Sequence, residues 1–291
     1  MNMKKYALYP GCLMSTEQYA YEISIRAVLP VFDIELVDIE GFSCCGEPMK
    51  SVNQFLTLYL SARNIALAEE KGLDMFVPCA MCHLALSECN YTLRSNEELR
   101  GKINSLLEEE GLVWHGKNVI FHTIDLFHDE IGVEEIKKHV EKSLNGIMLA
   151  THYGCHLIRP SEIGRPVDAE NPQKMEALLH AIGAETSYYA EKLDCCGAPL
   201  LANLPDSALT KAGQKMQAVQ QDFNALVTVC PWCHKMFDSR QQKAAETVAS
   251  SISLPVVYLS QLVGLAIGIE KEKLGFEFNL SPIEKLMEKI G

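Results

Sequence analysis

The chain lacks any long apolar run. Its longest uninterrupted apolar stretch, residues 262–269, is far short of the ~20 residues that span a bilayer. It also lacks an excess of positive charge: 26 Lys and Arg stand against 38 Asp and Glu, leaving −12 with no basic block, so a phosphate backbone is not an expected partner. The opening residues turn to Gly11 and Cys12 before the apolar core of a signal peptide can build up. The expectation is a soluble, cytoplasmic protein that uses neither a membrane nor nucleic acid. No Gly/Ser-rich linker interrupts the sequence, and neither a flavin-binding GxGxxG segment nor a ferredoxin string C-x-x-C-x-x-C-x-x-x-C-P occurs in it. Electrons for any redox chemistry would therefore have to come from another protein. At 48% apolar and 22% charged residues the composition is ordinary for a folded protein, and 291 residues suit one large or two medium domains.

What is abundant is cysteine. Eleven thiols are too sparse for a disulfide scaffold, and with no export signal they point to metal ligands or redox chemistry. Ten of them form one pattern written twice. Cys12 is followed after 31 residues by Cys44 and Cys45, then after 33 by Cys79 and Cys82; Cys155 is followed after 39 by Cys195 and Cys196, then after 33 by Cys230 and Cys233. The flanks repeat too. Gly11 and Gly154 precede the first cysteine, Gly46 and Gly197 follow the pair, Pro48 and Pro199 come two later, and His83 and His234 follow the last cysteine. Only Cys89 has no counterpart. Such internal repetition points to duplication.

Local patterning predicts two pseudo-symmetric α/β halves, 1–145 and 146–291, each a small, mostly parallel sheet flanked by helices, packed directly on each other. In the first, strands are expected at 6–9, 35–39 and 74–78, with helices at 17–31 and 51–71, the latter closed by Gly72. The second repeats this with strands at 146–153, 185–190 and 225–229 and helices at 172–182, closed by Gly183, and 207–223. Residues 119–127 and 256–269 each read as a further strand-then-helix unit, and Ser281 with Pro282 reads as a capped helix start. Every cysteine group then falls at the carboxyl end of a strand, where open α/β sheets hold their ligands.

Five thiolates per half exceed the four that an ordinary four-iron cubane or a structural zinc takes. Adjacent cysteines point apart and reach two irons more naturally than one. A cubane with a spare thiol and a cluster with a bridging fifth thiolate both fit, and the neighbouring glycines let the backbone approach a bulky inorganic core. The strings Cys79-Ala-Met-Cys82-His83 and Cys230-Pro-Trp-Cys233-His234 match the attachment pattern of c-type haem, but that would need export and would leave six repeated cysteines unexplained. Burial as small hydrophobes explains Cys89 but not ten thiols at repeated spacing.

This doubled pattern resembles the CCG cysteine-rich domain family, and its length and tandem form are similar to the B subunits of CoB-CoM heterodisulfide reductases. The resemblance implies two noncubane [4Fe-4S] clusters. It assigns the proximal one to Cys12, Cys44, Cys45, Cys79 and Cys82 and the distal one to Cys155, Cys195, Cys196, Cys230 and Cys233. It also implies a catalytic role, reduction of the small-molecule disulfide CoM-S-S-CoB to two thiols, with electrons from the iron-sulfur C subunit and the flavin-containing A subunit of a heterodisulfide reductase complex. Cleaving a disulfide takes two electrons, which suits two one-electron centres. The rival within the same family is an electron-relay component of a lactate- or glycolate-type oxidation system; from another class comes a zinc-stabilised interaction protein.

Among the histidines, His83 and His234 occur in both halves and are expected to hydrogen-bond and hold structure. His152 and His156 replace Tyr9 and Leu13 in the repeat. That asymmetry makes them the candidate catalytic residues, as proton donors to a departing thiolate. Because the implied disulfide carries a sulfonate and a phosphate, Lys50, Arg159, Arg165, Lys211, Lys215 and Lys235 are candidates to line its entry. Trp232 is a candidate shield of the distal cluster from water.

Overall fold

The computed structural model describes residues 3–163 and 168–291, which leaves Arg165 outside the described residues. Two four-stranded sheets, parallel throughout, are built from successive stretches of the chain. The first contains β1 (Lys4–Leu8), β2 (Ile34–Asp38), β3 (Asp74–Phe76) and β4 (Ile120–Phe121) in the order β2-β1-β3-β4. The second contains β5 (Met148–His152), β6 (Glu185–Thr186), β7 (Ala225–Thr228) and β8 (Val256–Tyr258) in the order β6-β5-β7-β8. Tyr6 pairs with Leu36 on one side and Asp74 on the other, and Leu149 likewise with Thr186 and Ala225. The central strands bury Tyr6, Ala7 and Leu8, Met75 and Phe76, Leu149 and Ala150, and Ala225, Leu226 and Val227, as strands covered by helices do, while Lys4 and Lys5 at the start of β1 are exposed.

The expected α/β architecture with two similar halves is what forms. In each sheet the chain leaves the first strand in one direction and returns on its other side, so a switch point lies between β1 and β3 and between β5 and β7. Cys12 and Cys79 follow the strands flanking one switch point, Cys155 and Cys230 those flanking the other.

The helices agree less evenly with the sequence pattern. Tyr19–Val28, Gln54–Glu70, Lys174–Ala181 and Pro205–Asp222 form where expected, and Gly72 and Gly183 take the positive φ that ends their helices. β6 is only two residues long, because the chain turns so that the Tyr189 hydroxyl donates to the Thr151 carbonyl at 2.8 Å. Ser281 does not cap the helix Glu284–Ile290; its hydroxyl accepts from the Val256 amide at 3.0 Å and ties that segment to β8. The helices Ala80–Ser95 and Glu97–Leu107 lack a sequence signal, since Cys82, His83, Cys89 and Asn90 interrupt the apolar stripe of the first.

The two halves pack directly on each other. Tyr21 stacks on Tyr258 with ring centres 4.1 Å apart, its hydroxyl donates to the Val229 carbonyl at 3.0 Å, and the Ser24 and Ser260 hydroxyls meet at 2.6 Å. The helices Tyr19–Val28 and Leu259–Ala266 approach closely because Gly264 has no side chain; a Cβ there would lie 3.1 Å from Val28 and 2.3 Å from Leu274.

Candidate functional site

The CCG turns are set by backbone conformation. Gly46 and Gly197 have φ of +86° and +87°, the left-handed region where a side chain is strained. Each also lies against the helix that follows: an added Cβ would stand 2.8 Å from Thr57 Cα in one half and 2.4 Å from the Ala208 carbonyl oxygen in the other. This contact fixes the turn on which both cysteines of the pair sit. The Gly46 amide donates to Cys44 Sγ at 3.4 Å and the Gly197 amide to Cys195 Sγ at 3.3 Å.

The CxxC segments sit at helix starts. Cys79 and Cys230 are the residues just before the helices Ala80–Ser95 and Pro231–Phe237, so the Cys82 and Cys233 amides point at their sulfurs. Free amides at a helix N-terminus favour thiolate. Gly11 and Gly154 close each site from the side of the first cysteine, where a Cβ would lie 3.0 Å from Cys82 Sγ and 3.3 Å from Cys233 Sγ.

The ten repeated thiols affect one another's ionisation in one unbroken series: Cys12 with Cys44, Cys44 with Cys45, Cys45 with Cys82, Cys82 with Cys79, Cys79 with Cys230, and then the mirror sequence Cys233, Cys196, Cys195, Cys155, the last two sulfurs lying 3.7 Å apart. The order is palindromic, and the crossing between halves is the Cys79–Cys230 contact. Cys44 and Cys195 are held down to about 2, chiefly by Cys12 and Cys155 respectively, then by the neighbouring cysteine, with the Gly46 or Gly197 amide adding to the effect against burial. Cys45 is pushed up to about 12, first by Cys44. Burial opposes ionisation of Cys230, but Cys233, Cys79 and two amides outweigh it. Cys12 and Cys44 are exposed, Cys155 and Cys195 half-buried, and the other six buried. Cys89 stands apart, its thiol donating to the Leu58 carbonyl at 3.5 Å inside the helical layer.

Around this series the second half is the more enclosed. A cavity of about 10 Å³, room for about one water, is lined by Cys155, Cys196, Cys230 and Cys233 together with Trp232 and, from the first half, Met81. His156 borders it, with Nδ1 3.6 Å from Cys155 Sγ and Nε2 3.8 Å from Glu47 Oε1 across the junction. Burial raises the Glu47 carboxyl to about 7, with Lys50 opposing and Glu88 adding to the rise. His152 is buried against Cys196 and Cys233, and its Nδ1 meets Lys215 Nζ at 2.8 Å. Burial first and Lys215 second hold its pKa well below the ordinary value. Sequence patterning does not single out Glu47, although it follows Cys45 by only two residues.

His83 and His234 turn away from the thiols. His83 Nε2 lies 3.0 Å from the Ile120 carbonyl, while His234 stacks on Tyr258 and meets Thr228 Oγ1 at 3.0 Å. Of the cations considered for substrate entry, Lys50 pairs with Glu88, Arg159 with Glu170 at 2.8 Å, and Lys235 with Glu17 at 2.7 Å. Lys211 is exposed and Lys215 is sealed inside the second half. Their own carboxylate partners therefore occupy three of these cations.

The donor set suits iron-sulfur clusters: five thiols of each half are linked through their neighbours, Gly11 and Gly154 stand against the Cys82 and Cys233 sulfurs, and buried His152 lies with Cys196 and Cys233, their ligand atoms within 4.8 Å of one another. Fold and thiol placement together define a tandem cysteine-rich domain protein. The chain belongs to the CCG cysteine-rich domain family, whose model matches residues 6–87 and 149–238. It is 32% identical over 99% of its length to a protein of Archaeoglobus profundus described as like the B subunit of heterodisulfide reductase, covering 98% of that protein. It is likewise 32% identical over 99% of its length to the B subunit of the ferredoxin:CoB-CoM heterodisulfide reductase of Methanosarcina mazei, covering 97%. An 8-methylmenaquinol:fumarate reductase membrane anchor subunit of Wolinella succinogenes is 33% identical over 97% of this chain and 99% of that one. A hypothetical protein from Helicobacter pylori shares the fold, with a TM-score of 0.77 at 17% identity over 96% of this chain and 52% of the other. Among the described residues no helix is long and apolar enough to cross a membrane.

Proposed function

We propose that the chain is the disulfide-reducing component of a heterodisulfide reductase. On this reading the halves 1–145 and 146–291 each hold one noncubane [4Fe-4S] cluster, by Cys12, Cys44, Cys45, Cys79 and Cys82 and by Cys155, Cys195, Cys196, Cys230 and Cys233. The observation that carries it is the palindromic thiol series, which joins two five-thiol groups through Cys79 and Cys230. When bound, the clusters would supply storage for one electron each. The overall reaction is R–S–S–R′ + 2e⁻ + 2H⁺ → RSH + R′SH, and the chain's own residues provide for the protons. His156 and Glu47 face each other at the junction of the halves, where a proton passes to a departing thiolate. His152, sealed behind Cys196 and Cys233, orders the second site rather than exchanging protons with solvent. Trp232 and Met81 line the small cavity beside the second site and restrict its access to solvent. Electrons come from partner proteins corresponding to the iron-sulfur C and flavin-containing A subunits, and the complex works in the cytoplasm.

A second reading, an electron relay with no disulfide substrate of its own, is favoured by the narrowness of that cavity and by the fumarate reductase relative. One experiment separates them. Anaerobic protein reduced with methyl viologen is mixed with CoM-S-S-CoB, and the visible spectrum and free thiol are followed. Reoxidation with two thiols formed per disulfide supports the reductase; no reoxidation by the disulfide, with electrons passing only to a protein acceptor, supports the relay.

A further inference from the structure

The two thiol sites follow one plan, and one pair of positions behind their sulfurs differs in charge. Twenty residues after the first cysteine of each pair stand Asn64 and Lys215, and each reaches the residue three before the first ligand candidate of its half, Tyr9 or His152. In the first half the pair is neutral. Asn64 Nδ2 donates weakly to Tyr9 Oη at 3.5 Å and otherwise to the carbonyls of Leu60, Ser43 and Cys44, while the Tyr9 hydroxyl donates to Ser43 O at 2.6 Å. Nothing in this pair offers a proton to a cysteine sulfur.

In the second half the pair is an ammonium and an imidazole. Lys215 is 1% exposed, and its three N–H bonds are fully spent on His152 Nδ1 at 2.8 Å, Asp194 O at 2.8 Å and Lys192 O at 3.2 Å. No carboxylate among the described residues lies within ion-pair distance of it. Burial lowers its pKa to about 8, and the Cys196 and Cys233 sulfurs, the Asp194 carboxylate and the Cys195 sulfur oppose that fall at longer range. Because His152 Nδ1 accepts from Lys215, the imidazole proton sits on Nε2. That atom is buried, has no hydrogen-bond partner among the described residues, and belongs to the imidazole grouped with the Cys196 and Cys233 sulfurs, whose ligand atoms lie within 4.8 Å of one another.

We propose that Lys215 acts as a positioning residue that locks His152 with its Nε2–H toward the sulfurs of the second site, so that the distal cluster is reduced at a higher potential than the proximal one. A nearby positive charge and an N–H donated to cluster sulfur both stabilise the more negative, reduced state. At the matching positions of the first site, Asn64 and Tyr9 supply neither a charge nor an N–H directed at a cysteine sulfur. Electrons delivered to the chain therefore settle at the second half, next to the His156 and Glu47 junction. This inference rests on the two-cluster reading but not on the identity of the disulfide.

The test is an anaerobic redox titration of the loaded full chain, followed by electron paramagnetic resonance, in the wild type, Lys215→Met and Asn64→Met. In the wild type two centres of unequal potential are expected. Lys215→Met should lower the higher one, changing its reduced-to-oxidised ratio at fixed potential at least tenfold, about 59 mV for one electron, while Asn64→Met leaves that centre unchanged. Unchanged potentials in loaded Lys215→Met overturn the proposal and leave the two-cluster reading standing. A chain that binds no iron overturns both; a shift in potential without any reaction with CoM-S-S-CoB supports the inference and removes the substrate assignment. If Lys215→Met does not fold, nitrogen-15 spectra of the histidines in metal-free wild type decide: a neutral His152 protonated on Nε2 supports the lock, and protonation on Nδ1 contradicts it.

Discussion

At Gly197 a single hydrogen in place of a side chain sets the direction of two thiols. The positive φ alone costs a substituted residue on the order of 1–3 kcal/mol, and the Cβ of alanine would stand 2.4 Å from a helical carbonyl oxygen that has no freedom to withdraw. Gly197→Ala is expected to destabilise the chain by about 3 kcal/mol or more and to lose the distal cluster first, as read by denaturant unfolding and iron content. His234 makes a separate, pH-dependent contribution. Burial holds its pKa down to about 4, against 6.5 for an ordinary imidazole, so between those values the unfolded chain binds a proton that the folded one does not. This stability is fully present well above pH 6.5 and is lost as the pH falls toward 4, by about 2 to 3 kcal/mol at pH 4.5. His234→Gln should flatten this part of the stability curve; an unaltered slope would mean that the imidazole already carries a charge in the fold. Residue types and spacing made the ten cysteines and both CCG glycines legible in the sequence. The Lys215–His152 bond was not, because 63 residues separate its partners, although their places in the repeat, beside Asn64 and Tyr9, carry the clue.

The strands and the helices that connect them were readable because their apolar runs are short, buried and bounded by glycine. The helix Ala80–Ser95 was not, because its inward face mixes thiols, an imidazole and an amide with leucine and alanine. It carries Cys79 and Cys82 at one end and Cys89 two turns further on, in a dry layer beside Gln54–Glu70. Cys89→Ser is therefore expected to leave both clusters intact and to cost only stability, by about 1 kcal/mol for a hydroxyl placed among apolar groups. Cys45→Ser and Cys196→Ser should each alter the cluster of their own half and leave the other formed, because each thiol interacts with thiols of its own half alone. Iron content and the resonance spectrum of each variant check this; loss of both clusters from a folded Cys196→Ser chain would contradict independent halves.

At the scale of the whole molecule the duplication was plain in the sequence, while the way the copies meet was not. Packing of Tyr21 on Tyr258 and of Ser24 on Ser260 joins the two halves, and across that junction Cys79 and Cys230 affect each other's ionisation. Cys79→Ser is thus the variant expected to disturb both centres: it removes a proximal ligand and also the neighbour that helps to hold Cys230 as thiolate. A distal spectrum identical to wild type in Cys79→Ser would show that the contact carries no coupling.

The claim on which all of this depends is that each five-thiol group holds its own four-iron cluster. Iron and acid-labile sulfide, measured on the chain purified without oxygen, test it most directly. The account predicts about eight irons and two spectroscopically distinct centres per chain, one four-iron cluster for each half. Stoichiometric zinc with almost no iron would contradict it.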